Sequence, residues 1–226
     1  MSIMQLSRFK LLTRAGAKLS TKPLIVSAGM PRSGSTLLFN MLREILATQL
    51  NSRLSSGWEG DFLSLPKGSA YLIKTHTLSR LYRWRARYCF YTYRDVRVAA
   101  VSNLRKFNFQ ITLESIRSMI RQYEIAKKAC NQTIKYEKLI EDPLSFIQEL
   151  SRILKINVDP EKIYQKAFKL KPPNSEIGYS KLTLLHKGHF THTKDHEWRQ
   201  IIDSKLQMKI NNEFSWWFSE CGYPPE

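Results

Sequence analysis

A glycine-containing stretch between an apolar run and an amphipathic segment has the spacing of a phosphate-binding loop. Gly29 and Gly34 lie five positions apart, and Ser35 and Thr36 follow directly. This is the spacing of G-x-x-x-x-G-K-[ST], but a serine replaces the lysine of nucleotide-hydrolysing loops, and Arg32 is the positive side chain. A helix that begins here offers N–H groups and a partial positive charge to a phosphate or sulfate. The stretch therefore predicts an anion site; the alternative is an ordinary strand–helix turn with a serine cap.

Lys74 and His76 lie two positions apart at the end of a second apolar run. Side chains two apart on a strand point to the same side. The histidine can act as a general base near neutral pH, and the lysine can stabilise charge that develops on a transferring group. The pair predicts a catalytic site, although a single histidine at a strand end is more often structural.

A third apolar run ends in Tyr93-Arg94-Asp95, and Ser102 follows eight residues after Arg94. If Asp95 begins a helix, the serine lies about two turns into it, so that arginine and serine can contact one ligand oxygen. The planar guanidinium fork of arginine suits a phosphate. Taken alone, an Arg-Asp pair at a strand end is commonly a local ion pair and a helix cap.

These candidates all follow short runs of apolar or β-branched residues, which predict strands at 24–28, 71–75, 88–93 and 133–136. Helical spacing and proline start signals predict helices at 35–50, 95–104, 113–130 and 143–154, another from Pro160, and a last one to about 220. Residues 51–69 and 178–196 predict loops. The alternation predicts a three-layer α/β fold with a central parallel sheet flanked by helices, like the P-loop nucleoside triphosphate hydrolases. Ligands of such sheets bind at the carboxyl ends of the strands, where the candidates lie.

The length of 226 residues predicts a single domain, 23–226, preceded by a basic segment, 1–22. Apolar residues interrupt the basic ones in this segment, which favours a packed or frayed N-terminal helix. A helix on a membrane surface and an organelle presequence are the alternatives.

The net charge of +17 predicts an anionic partner. One local cluster contains Arg80, Arg83, Arg85 and Arg87, with Tyr82 and Trp84 between them. We interpret it as a solvated helix face whose aromatic side chains pack inward, not as a surface that stacks nucleic-acid bases, and no nucleic-acid-binding signature is present.

The three cysteines are widely spaced and indicate neither a disulfide framework nor a metal site. Cys89 lies in an apolar run and is expected to be a buried thiol. Free thiols favour a reducing compartment, so that the cytoplasm is the expected location.

Together the three motifs resemble those of a known enzyme family. The chain has P-R-S-G-S-T after its first predicted strand, K-T-H at the end of the second and Y-R-D-x-R-x-x-x-x-S after the third. This order and these intervals resemble the cytosolic sulfotransferases, which transfer a sulfuryl group from 3′-phosphoadenosine 5′-phosphosulfate (PAPS). The segment that begins at Tyr136, with Asp142-Pro143, resembles the family as well, so that the likeness covers residues 23–154.

The resemblance implies a donor site built from several motifs. The loop would hold the 5′-phosphosulfate through its backbone, with Arg32 beside the sulfate; its residues are Arg32, Ser33, Gly34, Ser35 and Thr36. Arg94 and Ser102 would bind the 3′-phosphate, and Tyr136 would belong to the same site. Lys187 and Gly188 stand where the family has a C-terminal phosphate-binding motif, although His186 departs from that motif.

The resemblance also implies the catalytic groups. Lys74 and His76 match the family's lysine and catalytic histidine. Some carbohydrate-acting relatives use a glutamate as the base, which makes Glu59 the reserve candidate and Asp61 a weaker one; the alternative for Glu59 is an acid in a surface turn. Trp58 would stack on a sugar ring or anchor its loop.

The implied reaction is in-line sulfuryl transfer to a hydroxyl or amine of a small molecule or glycan. The product would be 3′-phosphoadenosine 5′-phosphate (PAP), no metal would be needed, and no specific nucleic acid is expected as a partner. The alternatives are a P-loop kinase of a small molecule, an anion- or nucleic-acid-binding module without catalysis, and a degenerate sulfotransferase that binds the donor only. The sequence leaves the acceptor and the oligomeric state open.

Overall fold

The centre of the protein is a parallel β-sheet. The computed structural model describes residues 22–64, 67–173, 178–187 and 196–224, so that the basic segment 1–22 lies outside it except for Lys22. Within these residues the strands are β1 Leu24–Gly29, β2 Leu54–Trp58, β3 Ala70–Thr75, β4 Ala86–Tyr93 and β5 Gln132–Lys135. Their order is β2-β3-β1-β4-β5, and every neighbouring pair is parallel.

β1 lies in the middle of this sheet and is buried along its whole length. A strand covered on both faces is apolar without alternation, which explains its Leu-Ile-Val run. The register pairs Ala28 with Thr75 of β3 and Gly29 with Thr92 of β4. The carboxyl ends of three strands therefore meet at one edge of the sheet.

Helices follow the strands along the chain. They are α1 Ser35–Leu50, α2 Arg80–Arg85, α3 Val96–Phe107, α4 Leu113–Ala129, α5 Tyr136–Glu141, α6 Pro143–Leu154, α7 Pro160–Phe168, α8 Trp198–Ile201, α9 Ser204–Glu213 and α10 Ser215–Cys221. Aspartates begin several of them: Asp95 accepts a hydrogen bond from the Arg97 N–H, and Asp142 accepts one from the Ser145 N–H. None of the described helices combines the length and the apolar character needed to cross a bilayer.

Two apolar cores lie on opposite faces of the sheet. Leu24 and Val26 of β1 point into one core, which α3, α4, α9 and α10 cover. Ile25 points into the other, which α1, α6 and α7 cover. The prediction of a three-layer α/β fold with a central parallel sheet is therefore confirmed.

Two element predictions are wrong. The predicted loop 51–69 contains the edge strand β2, whose inward positions are Ser55 and Gly57 and therefore carry no apolar signal. The predicted last helix is three helices, because Asp203 accepts hydrogen bonds from the N–H groups of Lys205 and Leu206 and so begins a new one.

Two side-chain expectations are also wrong. Cys89 is not a free thiol but forms a disulfide with Cys130, 41 positions away. Asn131 brings the two together, because its side chain and its N–H bond the N–H and carbonyl of Cys89. Trp84 does not pack inward but is 79% exposed, whereas Tyr82 packs against the core as expected.

Candidate active site

A cavity of about 840 Å³ opens at the carboxyl edge of the sheet. The predicted site residues that line it come from four strand ends and the segments that follow them: Arg32, Gly34, Ser35, Thr36, Lys74, His76, Arg94, Ser102 and Tyr136. The side chains of Ser33, Glu59 and Lys187 are not part of this lining, and Gly188 lies outside the described residues.

The loop between β1 and α1 has a backbone conformation suited to an anion. Arg32 and Gly34 both have positive φ, 65° and 77°. Gly34 is the N-cap of α1 and contributes no side chain to the cap, so that the first N–H groups of the helix face the cavity edge. A Cβ on Gly34 would lie 2.9 Å from the Tyr136 ring, and one on Gly29 would lie 2.2 Å from Thr92 Oγ1. Both glycines are thus required by close approach of the loop to its neighbours.

Ser33 has a structural role in this loop. Its hydroxyl is buried and lies 2.7 Å from the Met30 carbonyl oxygen and 2.7 Å from Thr92 Oγ1. These contacts tie the loop to the end of β4. The side chain is therefore directed into the sheet edge and away from the cavity, which leaves the loop backbone, Ser35 and Thr36 to contact a ligand.

Two guanidinium groups converge beside the loop. Arg32 Nε donates to Ser102 Oγ at 2.9 Å, which joins the loop to α3. The Arg94 guanidinium lies over the Tyr136 ring, 4.4 Å from its centroid. Burial, and then the positive charge of Arg94, lower the pKa of Arg32. Two half-buried cations held close together favour an anion between them, because it would offset both their repulsion and their partial loss of water.

His76 is held in one tautomer by the backbone. Its Nδ1 lies 2.7 Å from the carbonyl oxygen of Gly29, which can only accept, so that Nδ1 carries the proton and Nε2 has the lone pair. Lys74 Nζ lies 3.5 Å from that Nε2. Burial, and then the Lys74 charge, lower the pKa of His76 to about 3. The imidazole is therefore neutral at physiological pH and has its accepting nitrogen directed at the lysine.

Lys74 is almost completely buried, and its burial lowers its pKa to about 7, against the opposing charge of Glu59. Its ammonium group lies 4.9 Å from the centroid of the Trp58 ring, which is also 5.3 Å from the His76 ring. Trp58 thus contacts both members of the pair.

Glu59 begins the 3₁₀ turn after β2 and is half-buried. Burial raises the pKa of its carboxyl group, while Thr75 and Lys74 oppose the rise. The side chain acts on the cavity through the charge of Lys74 and is not itself part of the cavity wall.

The Lys187 side chain is exposed, and Lys187 contacts the rest of the protein through its backbone. Its N–H donates to the Gly178 carbonyl at 2.6 Å, and its own carbonyl accepts from Lys106 Nζ at 2.6 Å. The neighbouring His186 lines the cavity and packs its ring 6.0 Å from Phe107.

Sequence reasoning missed the apolar wall of the cavity. It contains Leu37, Phe107, Phe109, Ile140, Phe168, Leu170, Tyr179, Leu184 and Leu185. Phe107 and Phe109 flank Asn108, which ends α3 in a left-handed conformation, and both rings are at least half exposed. The signal in the sequence was the pair of phenylalanines in an otherwise polar stretch. Because the core does not use them, they could have indicated an apolar binding wall.

Among the described residues, no three His, Cys, Asp or Glu side chains are grouped so that they could hold a metal ion. The chemistry that these residues offer is anion binding by cations and N–H groups, next to a neutral imidazole that can accept a proton.

Comparison with solved structures finds the same arrangement of strands and helices in sulfotransferases. Mouse sulfotransferase SULT7A1, complexed with PAP, matches with a TM-score of 0.60 and 16% identity over 91% of this chain and 89% of that one. A retinol dehydratase in complex with androsterone and inactive cofactor PAP matches with a TM-score of 0.59 and 15% identity, over 93% and 84%. A putative steroid sulphotransferase of Arabidopsis thaliana matches with a TM-score of 0.52 and 12% identity, over 95% and 84%.

No protein-family model matches the sequence, and no curated protein matches it. The likeness at these identities is one of fold, and it extends over nearly the whole chain. The chain therefore has the α/β fold of the PAP-binding sulfotransferases.

Proposed function

We propose that this protein is a PAPS-dependent sulfotransferase. The observation that carries the proposal is the convergence of Arg32 and Arg94 at a helix N-terminus, next to His76, which lines the same cavity and has its accepting nitrogen beside Lys74 Nζ. The fold supports it, because the matched structures of SULT7A1 and of retinol dehydratase were determined with PAP.

The donor has a phosphate and a sulfate at its 5′ end and a phosphate at its 3′ position. The chain offers a cation near each of these two ends. The N–H groups of the loop and α1, with Ser35 and Thr36, would bind the 5′-phosphosulfate. Arg94, stacked on Tyr136, and Ser102 would bind the 3′-phosphate, which accounts for selection against nucleotides without that group. Arg32 bonds Ser102 and thereby links the two ends.

His76 is the proposed general base. Its Nε2 accepts the proton of the acceptor hydroxyl as the acceptor oxygen bonds to sulfur, and the bond from sulfur to the 5′-phosphate oxygen breaks to leave PAP. Lys74 and Arg32 stabilise the charge that develops on the sulfuryl oxygens and on the leaving phosphate. His76 is favoured over Glu59 because it lines the cavity and has a fixed tautomer, whereas the Glu59 side chain acts on Lys74 from outside the cavity.

The acceptor is proposed to be a small hydroxylated molecule with an apolar body. The apolar wall, with Phe107, Phe109 and Leu184, supports this, and the matched retinol dehydratase structures contain androsterone or retinol. Residues 23–226 are proposed to form one domain that performs the reaction. The alternatives differ in their ligands: a kinase would turn over ATP with magnesium, and a nucleic-acid-binding module would bind DNA or RNA in a salt-dependent way.

Calorimetric titration of the full chain with PAP, and with 5′-AMP as the control nucleotide, tests the proposal. We expect PAP to bind about 100-fold more tightly than 5′-AMP, because its 3′-phosphate adds charge-assisted hydrogen bonds worth about 1.5–3 kcal/mol each. Arg94→Ala should remove that difference, and Arg87→Ala, an exposed arginine outside the cavity, should keep it. Equal binding of PAP and 5′-AMP, or no binding of either, would contradict the donor assignment.

Turnover is the second part of the test. PAP should be released from PAPS only when a hydroxylated acceptor such as a phenol or a steroid is added. Formation of ADP from magnesium-ATP only when the acceptor is added, with no reaction of PAPS, would support the kinase instead.

A further inference from the structure

The residues around the proposed 3′-phosphate site alternate between two cavities. Arg94 and Tyr136 line the large cavity. Their chain neighbours Asp95, Lys135 and Glu137 line a second cavity of about 200 Å³ on the other side of the same strand ends. The groups that face the second cavity are therefore the direct chain neighbours of Arg94 and Tyr136, which face the large one.

The turn after α10, residues 222–224, contacts these groups. Tyr223 Oη donates to Glu137 Oε2 at 2.9 Å. Lys135 Nζ donates to the carbonyl oxygens of Cys221 and Gly222 at 3.0 and 3.2 Å, and it lies 4.1 Å from the centroid of the Tyr223 ring. The two residues that flank Tyr136 are thus both bonded to this turn or to the residue before it.

A third contact ties the turn to Asp95. Arg97 is 1% exposed and bonds both carboxylate oxygens of Asp95, at 3.1 and 2.7 Å. The same guanidinium donates to the Pro224 carbonyl at 3.0 Å and lies between the rings of Trp198 and Phe218. The residue that follows Arg94 is therefore fixed by a buried ion pair that the turn completes.

The turn itself is firmly placed. Tyr223 is 8% exposed and stacks on Trp217, which is completely buried, with ring planes 23° apart. Gly222 has a φ of 65° and ends α10, which turns the chain toward the strand ends. A buried, stacked tyrosine keeps its hydroxyl in one position.

We propose that the 222–224 turn positions the 3′-phosphate site from behind, with Tyr223 holding the Glu137 carboxylate away from Arg94; the proposal rests on the proposed function. Tyr223 is a positioning residue here, because it touches Glu137 and not the donor. Burial raises the pKa of Glu137, and the hydrogen bond from Tyr223 and then the charges of Lys135 and Arg94 oppose the rise. A Glu137 carboxylate that lost its tyrosine hydroxyl would compete with a phosphate for the same guanidinium.

The test is the ratio of PAP affinity to 5′-AMP affinity, measured by calorimetry in the full chain. Tyr223→Phe keeps the stacked ring and removes the hydroxyl. We expect it to weaken PAP binding about tenfold and to leave 5′-AMP binding unchanged, so that the ratio falls about tenfold. A general loss of stability would change both nucleotides alike and would not move the ratio.

Two further variants make the result specific. Tyr123→Phe is the matched control, because Tyr123 Oη also bonds a glutamate of α10, Glu220, at 2.8 Å, and Tyr123 lines neither cavity. It should leave the ratio unchanged. Glu137→Gln in the Tyr223→Phe background should restore the ratio, because the amide carries no charge to compete with phosphate.

An unchanged ratio in Tyr223→Phe, an equal fall in Tyr123→Phe, or no rescue by Glu137→Gln would each overturn the positioning role. A wild-type chain that fails to distinguish PAP from 5′-AMP would instead overturn the proposed function. The two failures are therefore distinguishable.

Discussion

The two halves of the cavity edge are built from different chemistry, although both lie at the ends of strands in one sheet. The proposed donor half follows β1, β4 and β5 and contains backbone N–H groups with Arg32 and Arg94. The proposed base half follows β2 and β3 and contains Lys74 and His76, whose pKa values burial lowers to about 7 and about 3. Guanidinium groups keep their charge across the physiological range, whereas a buried amine or imidazole does not.

This difference separates binding from chemistry. A site for a permanent anion needs charge that does not depend on pH, and arginines provide it. A site that moves a proton needs groups that can change protonation state, and burial lowers the pKa values of Lys74 and of His76 at the end of β3. We therefore expect variants of the two halves to affect different measurements.

The largest expected effect belongs to the base half. His76→Asn removes the accepting nitrogen but keeps a donor for the Gly29 carbonyl. It should lower kcat for sulfuryl transfer by about 10²–10⁴-fold, as for loss of a general base, while the Kd for PAP stays within about twofold. Steady-state transfer from PAPS and calorimetry with PAP measure the two.

Glu59→Gln tests the alternative general base and is to be compared with His76→Asn. Because the Glu59 side chain does not line the cavity, its loss should cost kcat much less than that of His76. If Glu59→Gln abolished transfer and His76→Asn did not, the assignment of the base would be wrong.

The next effect belongs to the donor half. Gly34→Ala places a side chain in a left-handed conformation, with its Cβ 2.9 Å from the Tyr136 ring. We expect the free energy of unfolding to fall by about 1–2 kcal/mol from the conformation alone, and the PAP affinity to fall by about tenfold or more as Tyr136 moves. Chemical denaturation and calorimetry measure these values.

Gly60→Ala is the corresponding change in the base half. Its Cβ would lie 3.0 Å from the Trp58 ring, and the backbone φ at Gly60 is not in the left-handed region. It should disturb transfer and leave the PAP affinity unchanged. A similar loss of PAP affinity in both alanine variants would mean that the halves are not independent.

The third effect is a pH dependence that arises where the halves meet. Lys74 has a pKa of about 7 in the free protein, and a phosphate or sulfate bound beside it favours its charged form and raises that pKa. Between the two values the complex holds more protons than the free protein, so PAP binding takes up a proton. The affinity should therefore fall as the pH rises above about 7, by up to about tenfold per pH unit.

Calorimetry in buffers of different ionisation enthalpy measures this uptake directly. Lys74→Met should abolish it while PAP binding remains detectable, because the methionine cannot titrate. Unchanged uptake in that variant would assign the proton to another group.

The sequence predicted the fold and most of the cavity edge because its signals are local. The apolar run of β1 and the glycine spacing before Ser35 each act within a few residues, and Arg94 and Ser102 follow from one helix start. The resemblance to a known family then joined these motifs into one site.

What the sequence did not predict depends on contacts between distant segments. The disulfide joins positions 41 residues apart, with no spacing to indicate it. The second cavity brings Tyr223 to Glu137, 86 positions away, and the apolar wall collects side chains from several elements. Pairings of this kind are fixed by packing, which a linear pattern does not contain.

The smallest predicted effect concerns how firmly the base half is held. The Trp58 ring lies 4.9 Å from Lys74 Nζ and 5.3 Å from the His76 ring, so it limits both hydration and movement of the pair. Trp58→Leu should admit water, let both pKa values return toward their ordinary range, and lower kcat by about three- to tenfold with no loss of PAP affinity. Trp58→Phe keeps a ring face for the ammonium group, so its kcat should fall less.

The pH at which His76 titrates, followed by NMR of its ring, tests the cause of this effect. That pH should be higher in Trp58→Leu than in the wild type. A loss of kcat without that rise in pKa would mean that Trp58 contacts the acceptor. The base half would then bind a ligand as well, a role that we propose only for the donor half.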